Sequence, residues 1–374
     1  MIMRPSRIKV MCSIIVFAAF AFLCSCGKSP TTAADYNNLG CNKVQKGELD
    51  GAVSDFNAAL KLDPRYSLAY YNRGRVMLER LDYDKAVADF NRSIEINPNL
   101  PRAYFDRGWI MIQKGNYNQA ISDFGHAIEL DPKYFQAYGN RGEMKGRVGD
   151  YDGAIVDCSR AIELNPEFEA AYLSRGHAKD KKDDATGAIA DYSKAIEIEP
   201  HDAVAYYDRG TLLRKKGDVV GALTDYDRAI ACDPKFDKAF LNRGGIRQDT
   251  GDLVGAMADY SHAIEINPKF AMAYIDRSSA KVAKGDVAGA MADCNAAIEI
   301  NPGIALAYLD RGTIRFNHGD INGAILDFDL AIGNDQKFAR AYEYRSKAKA
   351  KNGDQAGADA DMAKARQLDP SIGK

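Results

Sequence analysis

The sequence has few of the residues that form catalytic and metal centres. Its 374 residues include five histidines and seven cysteines. No two histidines have the spacing of the zinc-binding HExxH motif, and no CxxC pair, phosphate-binding glycine loop or GxSxG nucleophile motif occurs. We therefore expect no metal, no cofactor, no small-molecule substrate and no enzymatic activity.

A surplus of basic residues is also absent. The chain has 50 lysines and arginines against 52 aspartates and glutamates, which gives a formal net charge of −2. Proteins that bind nucleic acids neutralise phosphates with a concentrated basic surface. The balanced composition therefore argues against a nucleic-acid partner.

A hydrophobic run long enough to span a bilayer is missing, but a shorter one lies near the N-terminus. Arg4, Arg7 and Lys9 are followed by uncharged residues from Val10 to Leu23. A membrane-spanning helix needs about 20 apolar residues. A basic start followed by a shorter apolar run is instead typical of a signal peptide.

The next residues, Leu23-Cys24-Ser25-Cys26-Gly27, resemble a bacterial lipobox, although Cys24 stands where Ala, Ser or Thr is usual. The resemblance implies a signal peptide at residues 1–25, lipidation of Cys26 and a short linker at residues 26–32. Several acyl chains on one cysteine anchor a protein stably. By resemblance to enterobacterial lipoproteins, Gly27 after the cysteine implies the outer membrane, facing the periplasm. An uncleaved N-terminal anchor and ordinary cleavage are the alternatives.

Proline recurs every 34 residues over most of the chain. It stands at positions 64, 98, 132, 166, 200, 234, 268, 302 and 370, and Gln336 occupies the one missing place. A fixed period of this length indicates one supersecondary unit copied along the chain. The period divides the sequence into ten repeats: 33–66, 67–100, 101–134, 135–168, 169–202, 203–236, 237–270, 271–304, 305–338 and 339–372.

Each repeat has the same pattern of small and aromatic residues at its 34 places. Repeat 6 shows it at places 4, 8, 15, 20, 24, 27 and 32: Tyr206, Gly210, Gly217, Ala222, Tyr226, Ala229 and Pro234. This pattern resembles the tetratricopeptide repeat. The resemblance implies an all-α fold, a right-handed α-solenoid of ten 34-residue helix-turn-helix repeats, each with a helix A followed by a helix B.

The residues that recur at the same place in successive repeats can be explained physically. Gly-Asp pairs such as Gly217-Asp218 predict the turn between helices A and B, because glycine ends one helix and aspartate caps the next. Alanine at place 20 and glycine or serine at place 8 predict close contact between the two helices. The aromatic residue at place 4 is expected to supply most of the buried area. Cys158 and Cys294 replace aromatic residues at place 24 and are expected to fill the core.

Two charged rows accompany this pattern. Place 23 is Asp in all ten repeats, and place 7 is Arg in nine, with Leu39 in repeat 1. A buried charge is costly without a partner, so we expect the two rows to pair. Pairing each Asp with the Arg of the next repeat, from Asp55–Arg73 to Asp327–Arg345, uses all nine arginines. This inter-repeat ladder is the prediction; pairing within a repeat and a row of ligand-binding arginines are the alternatives.

In the family that the chain resembles, places 2, 5, 9, 12 and 13 of helix A point into a partner-binding groove. The corresponding candidate groove residues here are Tyr71, Arg75, Leu78, Phe105, Trp109, Ile112, Leu173, Tyr207, Leu241, Ile275 and Leu309. An apolar stripe facing solvent is typical of a protein-binding surface. We expect Tyr71, Phe105 and Trp109 to form its main patch, whereas packing between helices A is the alternative for the aliphatic residues.

Together these features predict a non-enzymatic scaffold at the bacterial envelope, anchored by Cys26, that binds a peptide or helix of a partner protein. Lipoproteins of this architecture serve in envelope assembly, an analogy at the level of fold. Because the repeats account for residues 33–372, we expect no catalytic domain. The alternatives are a cytoplasmic or anchored scaffold with an uncleaved N-terminus, and an accessory subunit of a glycan-processing enzyme.

Overall fold

The computed structural model describes residues 30–373, which form twenty helices and no strand. The A helices are Ala33–Gln45, Ser67–Glu79, Pro101–Gln113, Phe135–Arg147, Glu169–Lys181, Ala203–Lys215, Asp237–Asp249, Ala271–Ala283, Ala305–Asn317 and Ala339–Lys351. The B helices are Leu49–Leu62, Tyr83–Ile96, Tyr117–Leu130, Tyr151–Leu164, Ala185–Ile198, Val219–Cys232, Leu253–Ile266, Val287–Ile300, Ile321–Asn334 and Gln355–Leu368. The predicted all-α fold of paired helices is confirmed.

The chain divides into two compact units, one ending at Ala137 and the other beginning at Tyr138. The predicted signal peptide and Cys26 lie outside the described residues.

The turn between helices A and B has the predicted chemistry. Gly149 and Gly217 have φ angles of 90° and 85°, in the left-handed region that glycine adopts without strain. The aspartates that follow them cap helix B: Asp150 and Asp218 each accept a hydrogen bond from a backbone N–H three residues later. Leu81, at the glycine place of repeat 2, has φ 61°, which costs about 1 kcal/mol for a residue with a Cβ.

The turn after helix B does not require its proline. In repeat 9, where Gln336 replaces proline, the N–H of Phe338 donates to the carbonyl of Asp335 at 3.1 Å. The equivalent hydrogen bond in repeat 7, from Phe270 to Asn267, is 3.0 Å long. Proline favours this turn but the backbone hydrogen bond closes it in either case.

The core of each repeat is built around place 24 rather than place 4. The largest fully buried rings are Phe56, Phe90, Phe124, Tyr192, Tyr226, Tyr260 and Phe328, all at place 24. Most aromatic residues of place 4 are only half-buried, so the expectation that they supply most of the buried area was wrong. The place-24 rings press on the glycines of place 8: a Cβ on Gly244 would lie 2.7 Å from the ring of Tyr260.

The arginines of place 7 pair within their own repeat, so the predicted inter-repeat ladder was wrong. In repeat 6, Nε and Nη2 of Arg209 donate to the two carboxylate oxygens of Asp225 at 2.8 and 2.7 Å. The same pairing occurs from Arg73–Asp89 to Arg345–Asp361. Two parallel hydrogen bonds from one guanidinium to one carboxylate make a strong, directional ion pair.

Repeat 1 shows why the number of place-7 arginines predicted the wrong pairing. Asp55 has no Arg partner in its own repeat, but Nζ of Lys43 lies 2.8 Å from its Oδ2. Lys43 stands at place 11, one helical turn after place 7, and six other repeats have Lys or Arg there: Lys145, Lys179, Arg247, Lys281, Arg315 and Lys349, each within 2.9 Å of the same aspartate. A second row of cations therefore serves the aspartates, and counting place 7 alone missed it.

The arginines do connect neighbouring repeats, but through their remaining nitrogen. Nη1 of Arg209 donates to Oγ of Ser193 in the preceding repeat at 3.0 Å, and Nη1 of Arg311 donates to Asn295 at 2.8 Å. Each place-7 guanidinium also lies over the place-4 ring of its own repeat, as Arg311 does over Tyr308 at 5.6 Å from the ring centre. The rings of place 4 thus support the charged row.

Candidate binding surfaces

The structure places about half of the predicted groove residues in the core. Tyr71, Leu78, Phe105, Leu173, Ile275 and Leu309 are all at most 9% exposed. Phe105 packs on Phe124 of its own helix B and on Tyr134, with ring centres 5.4 and 4.8 Å apart. The expectation that these six residues face solvent was wrong, because they are buried in the packing of the helices. The aliphatic ones, Leu78, Leu173, Ile275 and Leu309, share core clusters with residues of the next helix A, which is the alternative of packing between helices A.

The other predicted groove residues are partly exposed. Arg75, Trp109, Ile112, Tyr207 and Leu241 are neither fully buried nor fully exposed. Trp109 makes an edge-on contact with Tyr83, with ring centres 6.2 Å apart. These five residues remain available for contact with a partner, and their role in binding stays a prediction.

A polar row beside the predicted groove was missed by the sequence reasoning. Place 6 of repeats 1 to 9 is always Asn, Asp or Ser, between the core residue of place 5 and the arginine of place 7. Its side chains bond to places 5 and 9 of the preceding repeat: Asn72 donates to Asn37 at 2.9 Å, and Asn242 donates to the hydroxyl of Tyr207 at 3.2 Å. The row could have been recognised from the sequence, because place 6 is polar in every repeat from 1 to 9.

The aspartates of this row have different surroundings. Asp106 is buried and accepts a hydrogen bond from the hydroxyl of Tyr71 at 3.0 Å, with Nε of Arg75 at 3.9 Å. Burial raises the pKa of Asp106 despite the nearby Arg75. Asp208 lies 2.6 Å from Nε2 of His177. Burial alone would lower the pKa of His177, but the hydrogen bond and the charge of Asp208 outweigh it and raise that pKa.

Asp276 and Asp310, in repeats 8 and 9, have no hydrogen bond or ion pair with any residue in the described range 30–373. Burial raises the pKa of Asp276 to about 6, against the opposing charge of Arg214. Burial also raises the pKa of Asp310 to about 7, with Arg340 opposing and Asp276 adding to the shift. These two carboxylates are half-buried and lack a direct counter-charge.

Asp276 faces a cavity of about 350 Å³ among the helices of repeats 6 to 8. Arg214 and Asp249 also line the cavity, and Nη2 of Arg214 bonds to Oδ2 of Asp249 at 2.9 Å. Leu241 and Met272 supply apolar surface, and Met272 is 39% exposed. The cavity therefore combines an apolar wall with one unpaired carboxylate.

Comparison with known proteins identifies the family. Three family models described as tetratricopeptide repeat match residues 73–138, residues 37–101, 173–237 and 207–269, and residues 135–168. Together they cover more than half of the chain. The chain belongs to the tetratricopeptide repeat family. Proteins of this family are generally non-catalytic scaffolds.

Solved structures agree with this assignment. The tetratricopeptide repeat chain is similar to Cut9–Hcn1, a hetero-tetramer of the APC/C, with 12% identity, 91% of this chain and 81% of the other covered, and a TM-score of 0.53. It is also similar to a tetratricopeptide repeat protein from Parabacteroides merdae ATCC 43184, with 20% identity, coverage of 66% and 98%, and a TM-score of 0.51. At these identities the likeness shows the fold alone. The comparison with curated proteins finds no significant match.

The tetratricopeptide repeats carry no metal-binding group of three or more His, Cys, Asp or Glu side chains in the part of the chain that the structure describes. Cys158 and Cys294 are fully buried, as expected of core residues. Burial raises the pKa of the Cys158 thiol to about 12, so it stays protonated and unreactive at neutral pH. Among residues 30–373, no helix has the length and apolar character needed to cross a bilayer.

Proposed function

We propose that this chain is a protein-binding scaffold, held at the bacterial envelope by a lipid on Cys26, whose A helices bind a segment of a partner protein. The observation that carries the proposal is the cavity among repeats 6 to 8, which joins the apolar surface of Leu241 and Met272 to the carboxylate of Asp276, which is unpaired among the described residues. Such a surface can recognise a side chain of a partner protein.

The partly exposed residues Arg75, Trp109 and Ile112 form a second proposed surface, in repeats 2 and 3. Tryptophan and arginine are the residues that most often dominate protein interfaces. Proteins with several such surfaces on successive repeats bind extended segments, because each repeat contributes a small contact area. An anchored scaffold of this kind would serve in the assembly of envelope components.

Partner recovery tests the binding proposal. The full-length chain and a Trp109→Ala/Ile112→Ala variant are used to recover partners from detergent-solubilised envelopes after crosslinking. The matched control is Leu326→Ala/Leu330→Ala, since these leucines of helix B in repeat 9 are 62% and 48% exposed. The groove variant should lose the partner that wild type and control retain. Equal recovery by all three chains would show that the surface of repeats 2 and 3 does not bind it.

Fatty-acid labelling tests the anchoring proposal separately. Cells that express wild type should incorporate labelled palmitate into the chain, and Cys26→Ala should abolish the label. Cys24→Ala is the matched control, because Cys24 lies two residues earlier and should not accept the lipid. Label retained by Cys26→Ala would refute lipidation at this residue.

A further inference from the structure

We infer that the cavity among repeats 6 to 8 binds a lysine or arginine side chain of the partner polypeptide, with Asp276 as its counter-charge. The inference rests on the proposed function, because it names the chemistry of the partner. It also assigns a role to a side chain that the sequence reasoning did not select.

Asp276 is the exception among the polar residues that line the cavity. The hydroxyl of Tyr260 donates to Gln248 at 3.0 Å, and the amide of Gln248 donates to Ser279 at 3.3 Å. Asn242 donates to Tyr207, and Arg214 is bonded to Asp249. Among the described residues that line the cavity, Asp276 alone has polar side-chain atoms without such a partner.

This arrangement leaves one negative charge in the cavity. Arg214 and Asp249 neutralise one another, so the lining has a net charge of −1 located on Asp276. A half-buried carboxylate without a counter-charge destabilises the fold, and an entering cation would relieve this cost. A cationic side chain therefore complements the cavity, whereas an acidic one would be repelled.

The cavity is open at Gly245, which has no side chain. Gly245 lies in the middle of helix Asp237–Asp249, where glycine costs about 1 kcal/mol relative to alanine. The atoms nearest to a Cβ on Gly245 would be those of the Arg214 guanidinium, the first at 3.1 Å. Its neighbour Gly244 is required for packing on Tyr260, but Gly245 is not required by the core. Place 9 carries Thr211 in repeat 6 and Thr313 in repeat 9, so the glycine is specific to this repeat.

The size and walls of the cavity suit one long side chain. Sites for whole small molecules are about 300–1,000 Å³, and this cavity of about 350 Å³ is at the lower end. Leu241 and Met272 offer apolar surface to the methylene groups of lysine or arginine while the charged end reaches Asp276. A lysine within a polypeptide also brings flanking residues that can contact the surface around the cavity, so it should bind more tightly than a free amine.

The test uses three acetylated, amidated five-residue peptides of alanine and leucine, with lysine, norleucine or glutamate at the centre. Binding to the full-length chain is followed by NMR through the Met272 methyl resonance, with the other methionines as internal references. The lysine peptide should bind about tenfold tighter than the norleucine peptide, because one charge-assisted hydrogen bond increases affinity by about that factor. The glutamate peptide should bind most weakly.

Two variants keep the test decisive. Asp276→Asn installs the residue that repeat 7 has at this place, Asn242, and should make the lysine and norleucine peptides bind equally. Gly245→Thr installs the residue of repeat 6 and should weaken both by filling the cavity. Circular dichroism should show both variants folded.

Lysine preference that survives Asp276→Asn would overturn the inference, as would equal binding of butylamine and the lysine peptide. Failure of every peptide to shift Met272 would also overturn it. That failure would leave the proposed function standing, because the recovery experiment with Trp109→Ala/Ile112→Ala measures partner binding in other repeats.

Discussion

The paired charges at places 7 and 23 allow a matched test of how each aspartate is stabilised. Asp225 in repeat 6 and Asp293 in repeat 8 are 3% and 5% exposed and each accepts two hydrogen bonds from an arginine of its own repeat. Both arginines, Arg209 and Arg277, also donate to a serine of the preceding repeat at 3.0 Å. The charged partners of the two aspartates differ in one respect: Lys281 lies 2.8 Å from Asp293, and repeat 6 has a leucine at that place.

The expected magnitudes follow from this difference. Removing one partner of a buried ion pair costs about 3–5 kcal/mol, and because each arginine is about one-fifth exposed we expect about 3 kcal/mol for Asp225→Asn. Asp293→Asn should cost about 1 kcal/mol more, because Lys281 also loses its partner. Lys281→Leu gives repeat 8 the pattern of repeat 6, so in that background Asp293→Asn should fall to the cost of Asp225→Asn.

Hydrogen exchange measured repeat by repeat is the appropriate assay, since repeat proteins open locally. A loss of about 3 kcal/mol corresponds to roughly a hundredfold faster exchange in the peptides of the altered repeat. The free energy of unfolding in urea gives the total for comparison. Equal costs for Asp225→Asn and Asp293→Asn, or a cost below about 0.5 kcal/mol for either, would refute the reasoning that these pairs are buried and that the second cation contributes.

Three further predictions concern single sites. Gly244→Ala should lower the free energy of unfolding by about 2 kcal/mol through the clash with the Tyr260 ring, whereas Gly245→Ala should be neutral or stabilising; similar effects in urea unfolding would contradict this. Asp310→Asn should stabilise the fold by about 2 kcal/mol at pH 8, because the raised pKa makes the charged form costly, and the gain should vanish as the pH falls through 7 towards 4. NMR titration should show the pKa of His177 above its ordinary value, and Asp208→Asn should lower that pKa. Because the pKa is raised in the folded state, the pair of His177 and Asp208 stabilises the fold fully below about pH 6.5. This stabilisation is lost at higher pH. An unchanged His177 pKa would contradict that pairing.

The sequence by itself determined the features that depend on residues close to one another along the chain. The 34-residue period, the Gly-Asp turns and the small residues at places 8 and 20 act over short separations, so the helix pairs and their caps followed from local rules. The core role of Cys158 followed from its place alone. For the same reason the family resemblance could be recognised from one repeat, such as residues 203–236.

Only the tertiary structure decided how side chains of different helices meet. Asp225 could pair with Arg209 or Arg243 by sequence count, and the choice depended on the relative placement of helices, which the period leaves open. The burial of Phe105 likewise depended on Phe124 lying beneath it. Asp276 and Gly245 are 31 residues apart in the sequence, and their shared cavity exists because the A helices of successive repeats lie side by side. A repeating sequence specifies the repeat, but contacts between its copies are set by three-dimensional packing.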